Sequence, residues 1–344
     1  MEPHATADQL LYLSSSDVAM ACRTIDPLAC VTDALLQHAA GTATVGVEGV
    51  IRWSPAEGES ARTLNMPGLI QEAGIVGTKI INANTGNPAR QLPRADGLTI
   101  LFDPLTARPR VVLQAAQVSA LRTAAVSTAA AIALRGREPT TLAVVGAGIV
   151  AQEHIRLMTA RLDIDCVLIS DSVRARAEAA ATALRAGPDD IPPIAVTETE
   201  SAVRRAGILV TATTTTQPYI PYGWISPGSV IINVSLDDLD EAAYLQSDLL
   251  YVDDWQLIWD DTQRLLGRLG RQRKVCGPGQ SAPDGSRPVT GTLGQLLAGK
   301  CPARTSESQT VLVNPFGMAI EDLAVAQAVS EAAESLGLGT VLPR

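Results

Sequence analysis

Thr141-Leu-Ala-Val-Val-Gly146-Ala-Gly148-Ile-Val-Ala151 is followed by a helical pattern and then by Cys166-Val-Leu-Ile-Ser-Asp171. A short apolar strand that turns through two glycines into a helix leaves backbone N–H groups and a positive helix end where a pyrophosphate can sit. Gly146 and Gly148 form that turn, and Ile149 and Val150 open the helix and belong to the same cofactor loop. Ala151 stands where many such motifs carry a third glycine, a position concerned with packing helix on strand. The next strand ends in Asp171, whose carboxylate can accept from both ribose hydroxyls and would repel a 2′-phosphate. The pattern therefore predicts NAD rather than NADP.

Working outward, short apolar runs alternate with helical patterns at 141–145, 166–170, 193–196, 208–213, 230–234 and 249–252. Six strands with intervening helices predict an α/β fold, a doubly wound parallel Rossmann sheet. Residues 1 to about 115 have another rhythm: a helical segment from Ser16 to His38, then strand-like runs at 45–53, 77–81, 98–103 and 110–113. This predicts a second, mixed α+β domain ahead of the nucleotide domain. The tail carries a strand-like Val311-Leu-Val313, a turn at Asn314-Pro-Phe-Gly317 and an Ala-rich helix, which could return to the first domain. Gly277 to Arg287 reads as a mobile Gly/Pro/Ser-rich loop.

The 344 residues suffice for two cores, and with only two Phe those cores must be built from Ala, Val, Leu and Ile, as suits helix-covered parallel strands. A net charge of −9 without any run of Lys or Arg argues against a nucleic-acid or anionic-membrane partner. The Ala-rich segment 123–134 reads as too short to span a bilayer, and no leader pattern is visible at the start. Five scattered cysteines without CxxC spacing suit a reduced, cytoplasmic protein. The three histidines form no ligand pattern, so no metal site is expected.

Among candidate site residues, Arg122 is the only charged side chain between Val111 and Leu134. Its charge cannot be lost, so an anion must meet it there, either an internal Asp or Glu or a substrate carboxylate. Lys79 lies on an apolar strand running into an Asn/Gly turn, with Arg52 before it and Arg94 after it. Four cations would suit a substrate with more than one carboxylate. Asp237 and Asp238 follow the strand ending at Val234, and loops beyond strand C-termini face the ligand in open α/β sheets. One of the pair could serve as acid/base on a substrate nitrogen, and one could cap the following helix. Thr211, Thr213 and Ser235 are similarly placed beside the cofactor.

Taken together, Gly77-Thr-Lys79-Ile-Ile-Asn82, Leu92-Pro-Arg94-Ala, Ser119-Ala-Leu-Arg122-Thr-Ala, Val145-Gly-Ala-Gly148, Asn233-Val-Ser-Leu-Asp-Asp238-Leu and Asn314-Pro-Phe-Gly317-Met-Ala-Ile-Glu-Asp322 resemble the ornithine cyclodeaminase/mu-crystallin family. The resemblance implies a discontinuous substrate and dimerisation domain (1–120 and 306–344), an inserted Rossmann domain (121–305) and NAD(H). It also implies that Lys79 and Arg122, with Arg52 as a third and Arg94 and Gly317 nearby, bind substrate carboxylates, and that Asp238 and Lys79 are catalytic. Where cyclodeaminases carry a Gly-Gly-Asp-type turn, this chain has Ser235-Leu-Asp-Asp238-Leu. That departure is more similar to the branch of N-(2-amino-2-carboxyethyl)-L-glutamate dehydrogenases, which feed 2,3-diaminopropionate into siderophore and peptide-antibiotic pathways. The expected activity is an opine-type NAD-dependent oxidation of a CH–NH bond in a homodimer. The alternatives are ornithine or lysine cyclodeamination, reduction of a cyclic imino acid, and ligand binding without turnover.

Overall fold

The computed structural model describes residues 9–135, 140–280 and 285–343. In chain order its strands are β1 (Gln9–Leu13), β2 (Ala43–Val45), β3 (Gly49–Trp53), β4 (Ala61–Ile70), β5 (Ile75–Asn84), β6 (Ala95–Phe102), β7 (Pro109–Gln114), β8 (Thr140–Val145), β9 (Ile164–Ser170), β10 (Ile194–Val196), β11 (Ile208–Thr211), β12 (Val230–Asn233), β13 (Leu249–Val252), β14 (Val275–Cys276), β15 (Arg287–Pro288), β16 (Gly291–Thr292), β17 (Val311–Asn314) and β18 (Thr340–Pro343). The α-helices are α1 (Ser15–Ala21), α2 (Pro27–Ala40), α3 (Ala115–Leu134), α4 (Ile149–Arg161), α5 (Arg174–Arg185), α6 (Thr199–Arg205), α7 (Glu241–Gln246), α8 (Trp255–Asp260), α9 (Leu265–Arg271), α10 (Leu293–Leu297) and α11 (Ala319–Ser335). The chain divides into two compact units, one running up to Arg122 and resuming at Met318, the other spanning Thr123–Gly317.

In the first unit, strands pair in the order β18-β1-β7-β6-β5-β4-β2, with β3 also on β4. The β1–β7 pair is parallel and the other pairs are antiparallel, so the sheet is mixed. Helix α11 packs on β4 and β5 and against α1 and α2. It comes so close that a Cβ at Gly77 would lie 3.0 Å from Leu323 Cδ2, and the neighbouring strand β6 crowds the same position, with the Ile100 carbonyl oxygen 2.3 Å away. The single helix expected from Ser16 to His38 is two, because Asp26 caps a new helix whose first residue is Pro27. The run 45–53 likewise breaks into β2 and β3, and the ten-residue β4 and the β1–β18 pair extend the sheet beyond the strands expected.

In the second unit, the strands run β10-β9-β8-β11-β12-β17-β13-β16, all parallel. A core of Leu168, Leu209, Ile231, Tyr244, Leu250, Ile258 and Leu312 packs against one face. Strand β17 corrects the expectation that the return to the first domain begins at 306. It lies between β12 and β13, so that return begins at Met318. All four residues of β17 are buried, as a central parallel strand requires. The other boundary falls at 122/123, within α3. That helix begins at Ala115, longer than the segment 123–134 expected, and is by length and composition the one candidate membrane span among the described residues; most of it is buried in the fold. Of the loop expected from Gly277 to Arg287, residues 281–284 lie outside the described residues, and its flanks pair as β14 and β15.

Candidate functional site

The glycine turn of the second unit has the form a dinucleotide requires. Gly146 has φ 107°, and a Cβ there would sit 2.4 Å from the Ala212 carbonyl oxygen, so only glycine can make this turn. A Cβ at Gly148 would meet nothing within 4 Å, which leaves open space above the backbone where a ligand can approach. Gly148 caps the 13-residue α4 without any side-chain hydrogen bond, so the first-turn N–H groups, including those of Ile149 and Val150, have no side-chain acceptor at the cap. Asp171 lies beside the same turn. Its Oδ2 accepts from Ala147 N–H at 3.1 Å and its Oδ1 from Val173 N–H at 2.9 Å. These residues fit the pyrophosphate and ribose of a dinucleotide.

Beyond the C-terminal ends of β11 and β12 stands Asp238, with no exposed surface. Its Oδ1 accepts from Thr213 Oγ1 at 2.7 Å and from the Tyr219 hydroxyl at 3.1 Å, and its Oδ2 from Ser235 Oγ. Burial pushes its carboxyl above the ordinary value, and the three hydroxyl donors oppose that rise by favouring the carboxylate. The neighbouring Asp237 has a different fate: its Oδ2 pairs with Arg264 Nη1 at 2.8 Å and its Oδ1 accepts from Leu265 N–H at 3.0 Å. It secures the start of α9, while the cap of the next helix, α7, is Asp240. Of the two acids, Asp237 is paired with a cation and Asp238 is held by hydroxyls.

At three positions the structure shows local roles that the sequence did not. Thr211 is fully buried and its hydroxyl donates to Asn233 Oδ1 at 2.7 Å, in a network continued by Tyr244 and Asn314. Its hydroxyl is thus engaged within the sheet, at the end of a central strand. Gly317 has φ 89° and its N–H donates to the buried Asp253 carboxylate, so it shapes the turn after β17 and its donor is already spent. The strand expected to run to Thr213 ends at Thr211, which frees Thr213 to turn toward Asp238.

In the first unit, β5 carries Lys79 and α3 carries Arg122 to the same two acids of α11. Lys79 Nζ lies 2.6 Å from Asp322 Oδ2. Arg122 Nη1 lies 2.8 Å from Glu321 Oε2, and its Nε 3.2 Å from Asp322 Oδ1. Lys79 is 2% exposed and Arg122 8%, and both acids are fully buried. Burial lowers the Lys79 pKa from its ordinary value, and Asp322 opposes that shift. The anion that meets Arg122 in the fold is thus internal. Two cations balance two carboxylates, as burial demands.

Arg52 stands exposed on β3, directly opposite Arg62 on β4, and the register places both on the Lys79 face of the sheet. Four residues separate Lys79 from Ala83, the partner of Arg62, or roughly 13 Å along the strand. Arg94 lies exposed in the turn before β6, where its carbonyl accepts from Asn84 N–H. Sequence reasoning missed Glu321, Asp322 and Tyr219. The signal for the first two was present: adjacent acids inside the apolar run Ala319-Ile-Glu-Asp322-Leu-Ala-Val need buried cations. Tyr219 carried no signal, because nothing in a Thr/Gln/Pro loop tells which residue folds back. Among the described residues, no group of three His, Cys, Asp or Glu could hold a metal ion.

Comparison with known proteins agrees with this geometry. The family model described as the ornithine cyclodeaminase/mu-crystallin family matches residues 10–337. N-((2S)-2-amino-2-carboxyethyl)-L-glutamate dehydrogenase of Staphylococcus aureus is 32% identical over 97% of this chain and 98% of its own. Among solved structures, CmnK superposes with TM-score 0.88 at 36% identity, covering 98% of each chain. An archaeal alanine dehydrogenase dimer with bound NAD superposes with TM-score 0.82 at 24% identity, covering 97% of this chain and 99% of its own, a likeness of fold. With the glycine turn, the buried acid beyond β12 and a match across nearly its whole length, the chain belongs to the ornithine cyclodeaminase/mu-crystallin family.

Proposed function

We propose that the chain is an opine-type dehydrogenase that oxidises N-(2-amino-2-carboxyethyl)-L-glutamate to an imine, which water cleaves to 2-oxoglutarate and 2,3-diaminopropionate. The class is an NAD-dependent oxidoreductase acting on a CH–NH bond. The observation that carries the reading is the Asp238 carboxylate, buried and held by three hydroxyls beyond the strand ends of the dinucleotide sheet. Identity to the S. aureus dehydrogenase over nearly the full length of both chains supports the choice of substrate.

The nicotinamide, when bound, supplies the hydride acceptor. Gly146, Gly148, Ile149 and Val150 would hold its pyrophosphate, Asp171 its ribose, and Thr213 and Ser235 line the approach to Asp238. Asp238 takes the proton of the substrate nitrogen as the carbon–nitrogen double bond forms, and then directs the water that adds to it. Lys79 and Arg122 hold substrate carboxylates. An ammonium has three donors and a guanidinium five, so each can engage a ligand while its acid partner on α11 fixes its direction. Arg52, on the Lys79 face, would meet a more distant carboxylate, and Arg94 a further one. We infer a homodimer working in the cytoplasm.

The test is to mix purified protein, NAD⁺ and N-(2-amino-2-carboxyethyl)-L-glutamate, and to follow NADH absorbance and products by mass spectrometry. NADH formed one-to-one with 2-oxoglutarate is expected. No NADH there, with ammonia released from ornithine or lysine instead, would make the protein a cyclodeaminase.

A further inference from the structure

Asp238 has no exposed surface, yet a base that accepts a proton at every turnover must pass that proton on. Of its three hydroxyl neighbours, two are half-buried and each is engaged in a second hydrogen bond. Thr213 Oγ1 also accepts from Thr215 N–H at 3.1 Å, and Ser235 Oγ lies 3.2 Å from the buried Thr211 hydroxyl. The third, Tyr219, is 43% exposed. Its place is built rather than incidental. The N–H groups of Tyr219 and Ile220 both donate to the Asp238 carbonyl at 2.9 Å, and Ile220 bridges in parallel to Leu239. Tyr219 therefore grips Asp238 twice, by backbone and by side chain.

We propose that the Tyr219 hydroxyl is the proton port of Asp238, the group through which the buried carboxylate exchanges protons with solvent. This rests on Asp238 being the base of the proposed reaction. Oxidation of a secondary amine breaks C–H and N–H and forms C=N; the hydride goes to NAD⁺ and the nitrogen's proton to Asp238. The protonated carboxyl then gives its proton to the Tyr219 oxygen while Tyr219 releases its own to solvent water. Carboxylate and neutral phenol are both restored. The transfer is concerted, because burial disfavours a phenolate. The other charged or titratable groups around the pair are Asp237 with its partner Arg264, Tyr244 on α7, and Asp171 beyond β9. Tyr244 is fully buried and its hydroxyl donates to the Leu236 carbonyl, so it offers no second way out.

The experiment compares wild type, Tyr219→Phe and Tyr219→His on one CH–NH substrate, measuring kcat and KM across pH, rescue by added imidazole, and the Asp238 carboxyl titration in the cofactor-free protein by ¹³C NMR. Tyr219→Phe should lower kcat on the order of 100-fold with KM within twofold. Imidazole and the His variant should each recover part of the loss, and the Asp238 midpoint should move upward in the Phe variant. A kcat within twofold of wild type, or equal impairment of the Phe and His variants without imidazole rescue, would overturn the proposal. So would an Asp238 titration that the Phe variant leaves unmoved. Each is a ratio to wild type, so wild-type silence on N-(2-amino-2-carboxyethyl)-L-glutamate with turnover of another amine would sink the substrate assignment alone. The Tyr219 ratios would then be read on that other amine.

Discussion

The two units bury charge by opposite means. In the first, two cations are sunk beside two carboxylates, Lys79 and Arg122 against Glu321 and Asp322, so every charge has an opposite within reach. In the second, a single carboxylate is sunk among neutral hydroxyls. Mutual pairing fixes charge and direction, which is what a binding group needs. Hydroxyl solvation stabilises an anion without a cation to hold it charged, so the group can still take a proton, which is what a base needs. Asp237, one residue from Asp238, sharpens the contrast. Paired with Arg264 and the start of α9, it has become structural.

The contrast can be broken at several points. The largest effect is expected from Asp238→Asn, which keeps an acceptor for the hydroxyls but cannot take a proton: kcat should fall about 10²- to 10⁴-fold with the melting temperature little changed. A kcat within tenfold of wild type would move the base elsewhere. Next, Asp322→Ala strands Lys79 and Arg122 without a shared counter-charge and should cost about 3–5 kcal/mol in urea unfolding. The double variant Lys79→Met with Asp322→Leu should cost clearly less than Asp322→Ala; equal costs would deny that charge pairing is what matters there.

Smaller effects follow from titration and capping. His154, fully buried between the Val150 carbonyl and the Ser127 hydroxyl, is held by burial at a pKa of about 4 against an ordinary 6.5. Below pH 6.5 the unfolded chain binds a proton that the folded imidazole refuses until about pH 4, so stability is lost as pH falls through that window. On the order of 3 kcal/mol should separate the pH dependence of wild type from that of His154→Gln, and parallel curves would refute it. Asp237→Ala should cost about 1–3 kcal/mol of stability while leaving kcat within a few-fold, and a kinetic loss like that of Asp238→Asn would erase the distinction between the twins. In wild type, kcat/KM should decline as pH falls through the Asp238 pKa, at a higher pH than an exposed aspartate would give, because burial raises it.

The glycine turn, Asp171 and the parallel strands were legible because each depends on neighbours in the chain: a strand, a forced φ at Gly146, and a helix start within a dozen residues. Lys79 and Arg122 could be picked out as cations in apolar surroundings, but their partners lie more than 190 residues away, and chain order does not say which acid will meet which base. Strand β17 was legible as a strand but not as a member of the second unit's sheet, since burial on both faces looks the same in whichever sheet it is spent.

The amino-acid sequence by itself determined the class of fold, the dinucleotide turn and the residue types available for catalysis, because local sterics and hydrophobic period act between near neighbours. Only the tertiary structure decided that Asp237 is paired with Arg264 while Asp238 is held by hydroxyls, that the Thr211 hydroxyl bonds to Asn233, and that Tyr219 closes on Asp238. Those outcomes depend on which loops cross beyond the strand ends and on how much water they exclude, and both are properties of the packed chain.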